Sequence, residues 1–312
     1  MNSALTFALP LTLIAAVTAQ QPAPTPPPPL VKENATVKLS AHVYAIPDDS
    51  VPLVPNVGII VGGTATLVVD TGLGPRNGQA ILREVAKVSR NADLYLATTH
   101  FHPEHAAGSS AFPANTKFIV AQAQQKDLDE LGATTAAQFA GRSALSAELL
   151  KDVKFRPPDV VFYDRQHEID LGGGVRVRLL AVGPTHTRGD TVLFVEPDGI
   201  LFAGDVVMNR AFLAFSQYSN AQTWMSVLGQ LDALHPATIV PSHGPIGDGS
   251  LIGQQRGVLD ALQGRVRALR MEGRSADEAA TLLTAEFQAR YPGWTGPNRV
   301  GAAVRSFYAG AP

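Results

Sequence analysis

The sequence contains no cysteine. This absence excludes disulfide frameworks, cysteine-ligated zinc sites, iron–sulfur clusters and thiol nucleophiles. Any metal must be held by histidine and carboxylate side chains, a ligand set that suits zinc and also iron or manganese. The sequence also lacks a Gly-x-Ser-x-Gly segment, in which many hydrolases place a serine nucleophile.

An excess of charge of either sign is also lacking. The 25 Lys and Arg residues nearly balance the 27 Asp and Glu residues, which leaves a net charge of −2. Because there is no basic excess and no basic run, we do not expect nucleic acid as a partner. With 45% hydrophobic residues, the 312-residue chain can bury a large core. We expect a small-molecule substrate, and the composition leaves the oligomeric state open.

Long hydrophobic runs are missing except near the N-terminus. Residues 4–17 are apolar apart from two threonines and Pro10, and Val17-Thr18-Ala19 has the small residues typical of a signal-peptide cleavage site. The run is short for a transmembrane helix, although the absence of a preceding Lys or Arg leaves an uncleaved anchor as the alternative. We therefore expect a signal peptide over residues 1–19, a proline-rich linker over 20–30, and a periplasmic or secreted protein without stable membrane insertion after cleavage.

The rest of the chain alternates between patterns of strands and of helices. Helical patterns include Asn77–Arg90, Gln122–Leu131 and Thr135–Leu150, and a second set of strands and helices follows from about residue 160. This repeated order predicts the α/β class, as a four-layer αββα sandwich. We expect the main domain to span 31–250 and a C-terminal helical extension to span 251–312, packed on that domain.

One short stretch concentrates metal-binding side chains. His100, His102, Glu104 and His105 directly follow the predicted buried strand Asp93–Ala97. Because His100 and His102 are two residues apart in an extended segment, both rings point to the same side. Glu104 and His105 can reach a second position close by. The pattern indicates a metal site, and a solvated polar turn is the alternative.

Other predicted strands also end in a carboxylate or an imidazole. Each of these residues lies next to Gly or Pro, or one residue away, which allows the backbone to turn sharply. The residues are Asp70, His186, Asp205 and His243.

These motifs together resemble the metallo-β-lactamase-fold hydrolase superfamily, with its glyoxalase II-like, lactonase-like and lactamase-like branches. The resemblance covers about residues 38–245: an HxHxEH segment, then Gly-Pro-Thr-His-Thr-Arg-Gly-Asp, then Gly-Asp after an apolar strand, then His-Gly. It implies two Zn²⁺ ions per chain, with iron or manganese as alternatives. It assigns the first ion to His100, His102 and His186, the second to Glu104, His105 and His243, and a bridging role to Asp205. Asp70 would support the ligands from outside, and Glu104, Asp205 and Asp70 would serve catalysis.

One position departs from the family pattern, which has Asp where this chain has Glu104. The extra methylene moves the carboxylate by about one bond length, against metal–oxygen distances of roughly 2.0–2.2 Å. The departure concerns the occupancy of the second metal site and leaves the first unaffected.

The resemblance implies an exported hydrolase in which a metal-bound hydroxide attacks the acyl carbonyl of an ester, lactone, thioester or β-lactam. The alternatives are an iron-dependent redox or sulfur-processing enzyme on the same fold, and an inactive periplasmic metal-binding protein. Phe212, Phe215 and Tyr218 follow Asp205 and are predicted either to line a substrate pocket or to pack a loop onto the core.

Overall fold

The computed structural model describes residues 28–310. The predicted signal peptide and most of the proline-rich linker lie outside these described residues. Within residues 28–310, no helix has the combination of length and apolar character needed to cross a membrane.

The first half of the chain forms a seven-stranded sheet whose spatial order follows the sequence. The first four strands pair antiparallel and the last four pair parallel. The strands are β1 (Val37–Lys38), β2 (Val43–Ile46), β3 (Val57–Val61), β4 (Ala65–Val69), β5 (Asp93–Ala97), β6 (Lys117–Ala121) and β7 (Val160–Phe162).

The second half forms a six-stranded sheet in the order β13-β12-β11-β10-β9-β8. Only the β11–β12 pair in it is parallel. The strands are β8 (Gln166–Asp170), β9 (Arg176–Ala181), β10 (Thr191–Val195), β11 (Ile200–Gly204), β12 (Thr238–Pro241) and β13 (Gly247–Asp248).

Eight α-helices lie within the described residues. They are α1 (Pro75–Val88), α2 (Pro103–Ala106), α3 (Gln122–Ala140), α4 (Ala144–Leu149), α5 (Ala221–Asp232), α6 (Ser250–Met271), α7 (Ala276–Arg290) and α8 (Val300–Ala309). The boundary predicted near residue 131 is wrong, because α3 runs unbroken through Gly132 to Ala140. The new helix begins instead where the Ser143 side chain accepts a hydrogen bond from the Ser146 amide.

The two sheets pack face to face and the helices cover their outer faces. Leu67 of the first sheet and Phe202 of the second belong to the core between them. Ile81 of α1 packs on the outer face of the first sheet, and Trp224 of α5 packs on that of the second. This arrangement confirms the predicted αββα sandwich, because each amphipathic element buries its apolar side against a neighbouring layer.

Predicted site residues lie where parallel strands end. β4 and β5 run parallel and lead into Asp70 and the His100–His105 segment, while β11 and β12 run parallel and lead into Asp205 and His243. Because the carboxyl ends of parallel neighbours meet at one edge, residues far apart in sequence converge there.

The turn that carries His186 packs directly against the start of α3. A Cβ atom added at Gly189 would lie closer than 3.0 Å to the backbone of Gln124. We expect Gly189→Ala to lower the free energy of unfolding by about 1–3 kcal/mol, because one backbone must move. Denaturant unfolding of the purified protein measures this change.

Gly253 in α6 provides the matched control, because an added Cβ there meets no atom within 4 Å. We expect Gly253→Ala to raise the free energy of unfolding by about 0.4–1 kcal/mol, since alanine restricts the unfolded chain. Equal effects of the two substitutions would contradict the close approach at Gly189.

Candidate metal centre

Three imidazoles converge on one point to form the first cluster. His102 Nδ1 lies 3.1 Å from His100 Nε2 and 3.2 Å from His186 Nε2. Ligands of a tetrahedral zinc ion with Zn–N distances of about 2.0–2.1 Å are roughly 3.3 Å apart. The three nitrogens are thus spaced as three corners of such a site, with His102 presenting Nδ1 and the other two rings presenting Nε2.

The orientation of several rings is fixed by hydrogen bonds on the side away from the cluster. A proton held at Nδ1 leaves Nε2 with a free lone pair, the form that a metal requires. His105 Nδ1 bonds Asp70 Oδ2 at 2.9 Å, His186 Nδ1 bonds the Ala214 carbonyl at 2.6 Å, and His243 Nδ1 bonds the Val54 carbonyl at 3.0 Å.

Glu104, His105 and His243 form a second cluster, in which one ligand atom from each side chain lies within 4.8 Å of the others. Asp205 stands between the two clusters. Its Oδ2 is 3.5 Å from His186 Nε2 and its Oδ1 is 3.9 Å from His243 Nε2. The structure thus brings together all seven predicted ligands, and a bridging role for Asp205 remains a prediction that this placement supports.

Three atoms at the centre of the site are buried without a hydrogen-bond partner among the described residues: Glu104 Oε2, His105 Nε2 and Asp205 Oδ1. Leaving a buried polar atom unpaired costs roughly 1–3 kcal/mol, and more for a charged group. A cation placed among these atoms would pair all three. The donor set therefore fits bound divalent metal ions.

The electrostatics of the site favour the ligand form of three side chains, His100, His102 and Asp205. Burial, reinforced by the neighbouring imidazoles, holds the pKa values of His100 and His102 well below the ordinary value. Burial acts to raise the pKa of Asp205, but the surrounding imidazoles outweigh it and lower that pKa. Burial raises the pKa of Glu104. A metal ion would reverse this last shift, because it stabilises the carboxylate.

Asp70 supports the site through hydrogen bonds with Thr99 and with the Nδ1 side of the His105 ring. Its Oδ1 accepts a 2.7 Å hydrogen bond from the Thr99 amide, and its Oδ2 pairs with His105. Burial acts to lower the pKa of His105, but Asp70 outweighs it and raises that pKa to about 9 in the absence of metal. Asp70 therefore fixes both the orientation and the proton position of the His105 ring.

The His186 turn is anchored at two points. Asp190 accepts hydrogen bonds from the amide and the hydroxyl of Thr187 at 2.8 and 2.6 Å. The buried Asp127 of α3 accepts one from the Gly189 amide at 3.0 Å and pairs with Arg188. These contacts fix the shape of the His186 turn and fasten it to α3.

The His243 turn is held by two residues that sequence reasoning missed. Asn56 Nδ2 donates to the carbonyls of Pro241 and Gly244, each at 2.8 Å. Asp48 Oδ2 accepts from the Gly244 amide at 2.7 Å. Both lie in the loop between β2 and β3, which carries proline and aspartate but no metal-ligand motif, so the sequence contains no signal for this role.

The clusters lie at the bottom of an open cavity of about 780 Å³. Its walls come from the β2–β3 loop, the α3–α4 connection, the segment after β11 and the C-terminal extension. They include Val51, Leu53, Phe139, Arg142, Met208, Arg210, Thr295 and Arg299.

None of the three aromatic residues after Asp205 lines this cavity. Phe212 contacts Trp294 and Phe215 contacts Trp224, and both pack the loop onto the core. Tyr218 instead lies against the Arg188 guanidinium and takes neither of the two predicted roles.

The Glu104 carboxylate already reaches the second cluster, with Oε1 3.9 Å from His105 Nε2. Shortening the side chain would withdraw it by about one bond length. We expect Glu104→Asp to weaken binding of the second metal ion by at least about tenfold, measured by metal titration of the metal-free protein. Glu104→Gln keeps the length of the side chain and removes its negative charge. Comparing the two variants therefore separates the effect of side-chain length on metal binding from the effect of charge. A higher second-site occupancy in Glu104→Asp would show instead that the longer side chain is strained.

Sequence comparison identifies the class of protein. Residues 51–243, more than half of the chain, match the family model of the metallo-beta-lactamase superfamily. The chain therefore belongs to this superfamily, a class with a hydrolase-type fold, and the His and Asp groups of this site match its metal dependence.

One relative of known activity is an alkylsulfatase. A linear primary-alkylsulfatase of Pseudomonas sp. (strain ATCC 19151) is 25% identical over 210 residues, which is 57% of this chain and 39% of the relative. The chain thus matches well under half the length of this curated relative.

Among solved structures, a metallo-beta-lactamase family protein from Thermus thermophilus has a TM-score of 0.61 and 19% identity, covering 86% of this chain and 93% of its own. A sec-alkylsulfatase from Pseudomonas sp. has a TM-score of 0.66 and 14% identity, and the match covers 88% of this chain and 49% of the alkylsulfatase chain. At these identities the structures show the shared fold.

Proposed function

We propose that this protein is a hydrolase that uses two divalent metal ions, zinc in the first instance, to cleave an ester, lactone, thioester or β-lactam. One observation carries the proposal: two ligand clusters lie on either side of Asp205 and line a cavity large enough for a small molecule. Neither a serine nor a cysteine nucleophile is required.

The proposed ligands fall into two groups, one for each metal ion. His100, His102 and His186 would hold one ion, and Glu104, His105 and His243 the other. A pair of bound divalent ions would supply a water of lowered pKa, from about 15.7 towards roughly 7, and would polarise the carbonyl oxygen. The water oxygen bonds to the acyl carbon, and the bond from that carbon to the leaving group breaks.

The proton must travel from the attacking water to the leaving group. Asp205 and Glu104 are the carboxylates at the two clusters, and both are almost fully buried. We assign to these two carboxylates the orientation of the attacking water and the transfer of its proton to the leaving group.

Alkyl sulfate hydrolysis is the second candidate function. The alkylsulfatase similarity favours it, and a two-metal site can activate water against a sulfate ester as well as against an acyl group. In this case the water attacks the sulfate ester and releases an alcohol and sulfate.

The test combines metal content with a substrate panel. Purified protein is analysed for bound metals and assayed, with and without chelation, on a β-lactam, a lactone, a thioester, 4-nitrophenyl hexanoate and hexyl sulfate. We expect about two ions per chain and chelator-sensitive hydrolysis of an acyl substrate. Turnover of hexyl sulfate alone would establish the second candidate. Iron without zinc would favour redox chemistry, and no turnover on the whole panel would favour an inactive metal-binding protein.

We also propose that the protein is exported, on the basis of the signal-like residues 1–19. Cell fractionation and N-terminal sequencing test this. Cleavage after Ala19 is the expected result, and an intact N-terminus in the membrane fraction would show an uncleaved anchor.

A further inference from the structure

Two arginines in the walls of the cavity have no acidic partner. Arg142 and Arg210 both line it, and neither forms an ion pair with any of the residues the structure describes. Of the sixteen other arginines, nine form an ion pair within the described residues, as Arg188 does with Asp127. Unpaired guanidinium groups facing a concave site are available to a ligand.

Arg142 is held in place by an aromatic ring. Its guanidinium lies 3.5 Å from the ring centroid of Phe139, a residue that is only 4% exposed. The Phe139 ring in turn lies 5.8 Å from the ring of His102. Arg142 is therefore a cation pre-oriented beside the first cluster, with its hydrogen-bond donors free of partners in the described chain.

Arg210 stands on a second wall in an unusual backbone conformation. Its φ angle is +52°, in the left-handed region that side-chain-bearing residues rarely adopt. The Thr295 amide donates to the Arg210 carbonyl at 3.0 Å, so the C-terminal extension holds this backbone in place. Strained conformations of this kind are frequent at ligand-binding sites, where the surrounding structure stabilises them.

A third arginine in the cavity shows the contrast. Arg299 Nη1 donates to the Phe212 carbonyl at 3.1 Å and lies 3.5 Å from the Met208 sulfur. This guanidinium is used to anchor the C-terminal extension to the segment after β11. Within the described chain, the guanidinium groups of Arg142 and Arg210 donate no hydrogen bond to a protein atom.

The wall formed by the β2–β3 loop contains an apolar stretch with a strained backbone. Val51, Pro52 and Leu53 form this stretch, and Asp48 and Ser50 also line the cavity. Ser50 and Leu53 have φ angles of +58° and +63°. An apolar wall together with free cations suits a ligand that has a hydrocarbon body and an anionic group.

We propose that the substrate carries an anionic group separate from the bond that is hydrolysed, and that Arg142 and Arg210 bind this group. This inference rests on the proposed function and specifies its substrate class: a carboxylate-bearing ester or amide with an apolar body. A guanidinium binds a carboxylate through charge-assisted, frequently bidentate hydrogen bonds. The two arginines determine specificity and take no part in the bond-breaking step.

A matched pair of substrates isolates the anionic group. The 4-nitrophenyl monoester of adipic acid and 4-nitrophenyl hexanoate have the same six-carbon acyl chain, and only the first ends in a carboxylate. We expect wild-type protein to prefer the adipate monoester in kcat/KM by at least about tenfold, and Arg142→Gln with Arg210→Gln to abolish the preference mainly through KM. Each single substitution should remove part of the preference. Turnover of the hexanoate, which has no terminal carboxylate, should fall by a clearly smaller factor than that of the adipate monoester.

Arg267→Gln is the control for charge. Arg267 is exposed on α6, outside the cavity, and forms no ion pair within the described residues. This variant should keep the preference for the adipate monoester. Thermal unfolding of all variants checks the fold. A wild type that shows no preference, or a double variant that retains it, would overturn the proposal while leaving the hydrolase function intact. A loss confined to hexyl sulfate would also overturn it, because the arginines would then bind the reacting sulfate.

If the protein hydrolyses none of the esters, the proposed function is contradicted. A binding measurement then still tests the anion-binding role of Arg142 and Arg210. Adipate is titrated calorimetrically into the metal-loaded wild type and into the double variant at low ionic strength. We expect about tenfold weaker binding to the variant, since both proteins keep the metal ligands. Equal binding would overturn the anion subsite independently of catalysis.

Discussion

His102→Ala is expected to abolish hydrolysis and to remove the first metal ion. His102 Nδ1 is the atom on which the first cluster converges, at 3.1 and 3.2 Å from its two partners. Alanine leaves the first ion with two imidazoles, those of His100 and His186, and with the Asp205 carboxylate that it would share with the second ion, which is a weaker donor set for zinc. The loss of activity should exceed the roughly 100-fold loss typical of an outer residue that supports a ligand. Metal analysis should show about one ion fewer per chain.

His167→Ala provides the matched control. His167 lies in β8, outside the cavity, and stacks on Phe162 at 5.5 Å. Its removal should change neither metal content nor turnover. Normal activity and metal content in His102→Ala would show that the first site is assigned wrongly. A folded His102→Ala protein is expected, because this side chain is partly exposed.

Asp205→Asn is expected to have the second largest effect. The substitution preserves the shape of the side chain and removes the negative charge that stands between the two clusters. A neutral amide is a weaker ligand and its nitrogen cannot accept a metal, so the two ions lose their common partner. We expect at least about 100-fold lower turnover and at most one tightly bound ion per chain, measured by assay and by metal analysis after dialysis.

Asp164→Asn is the control, because Asp164 is an exposed aspartate in the turn before β8. It should leave both measurements unchanged. If Asp205→Asn kept two ions and full turnover, Asp205 could not be the bridge, and the division of ligands would need revision. The unfolding temperature of the metal-free variant separates lost metal binding from a lost fold.

Much of the fold and the candidate ligand set could be predicted from the sequence. The alternation of strands and helices predicted the αββα sandwich, since burial of apolar faces requires layers. The spacing of His100, His102 and His105 predicted a metal site, because backbone geometry over six residues is local and regular. The absence of cysteine restricted the ligands to imidazole and carboxylate. Glycine and proline close to Asp70, His186, Asp205 and His243 marked sharp turns at strand ends.

How these turns meet depends on the tertiary structure. Parallel pairing of β4 with β5, and of β11 with β12, brings residues from both sheets to one edge. The Nδ1 presentation of His102, the reach of Glu104 and the support from Asn56 depend on distances between segments far apart in the chain. No local pattern encodes such distances.

The cavity walls were decided in the same way. Arg142 and Arg210 belong to no motif, and a lone arginine in a sequence most often pairs with an acidic side chain or faces solvent. Their lack of an acidic partner among the described residues, the stacking of Arg142 on Phe139 and the left-handed backbone of Arg210 exist only in the folded chain. The reason is physical: metal ligation is specified by residue type and short spacing, whereas substrate recognition arises from surfaces that distant segments form together.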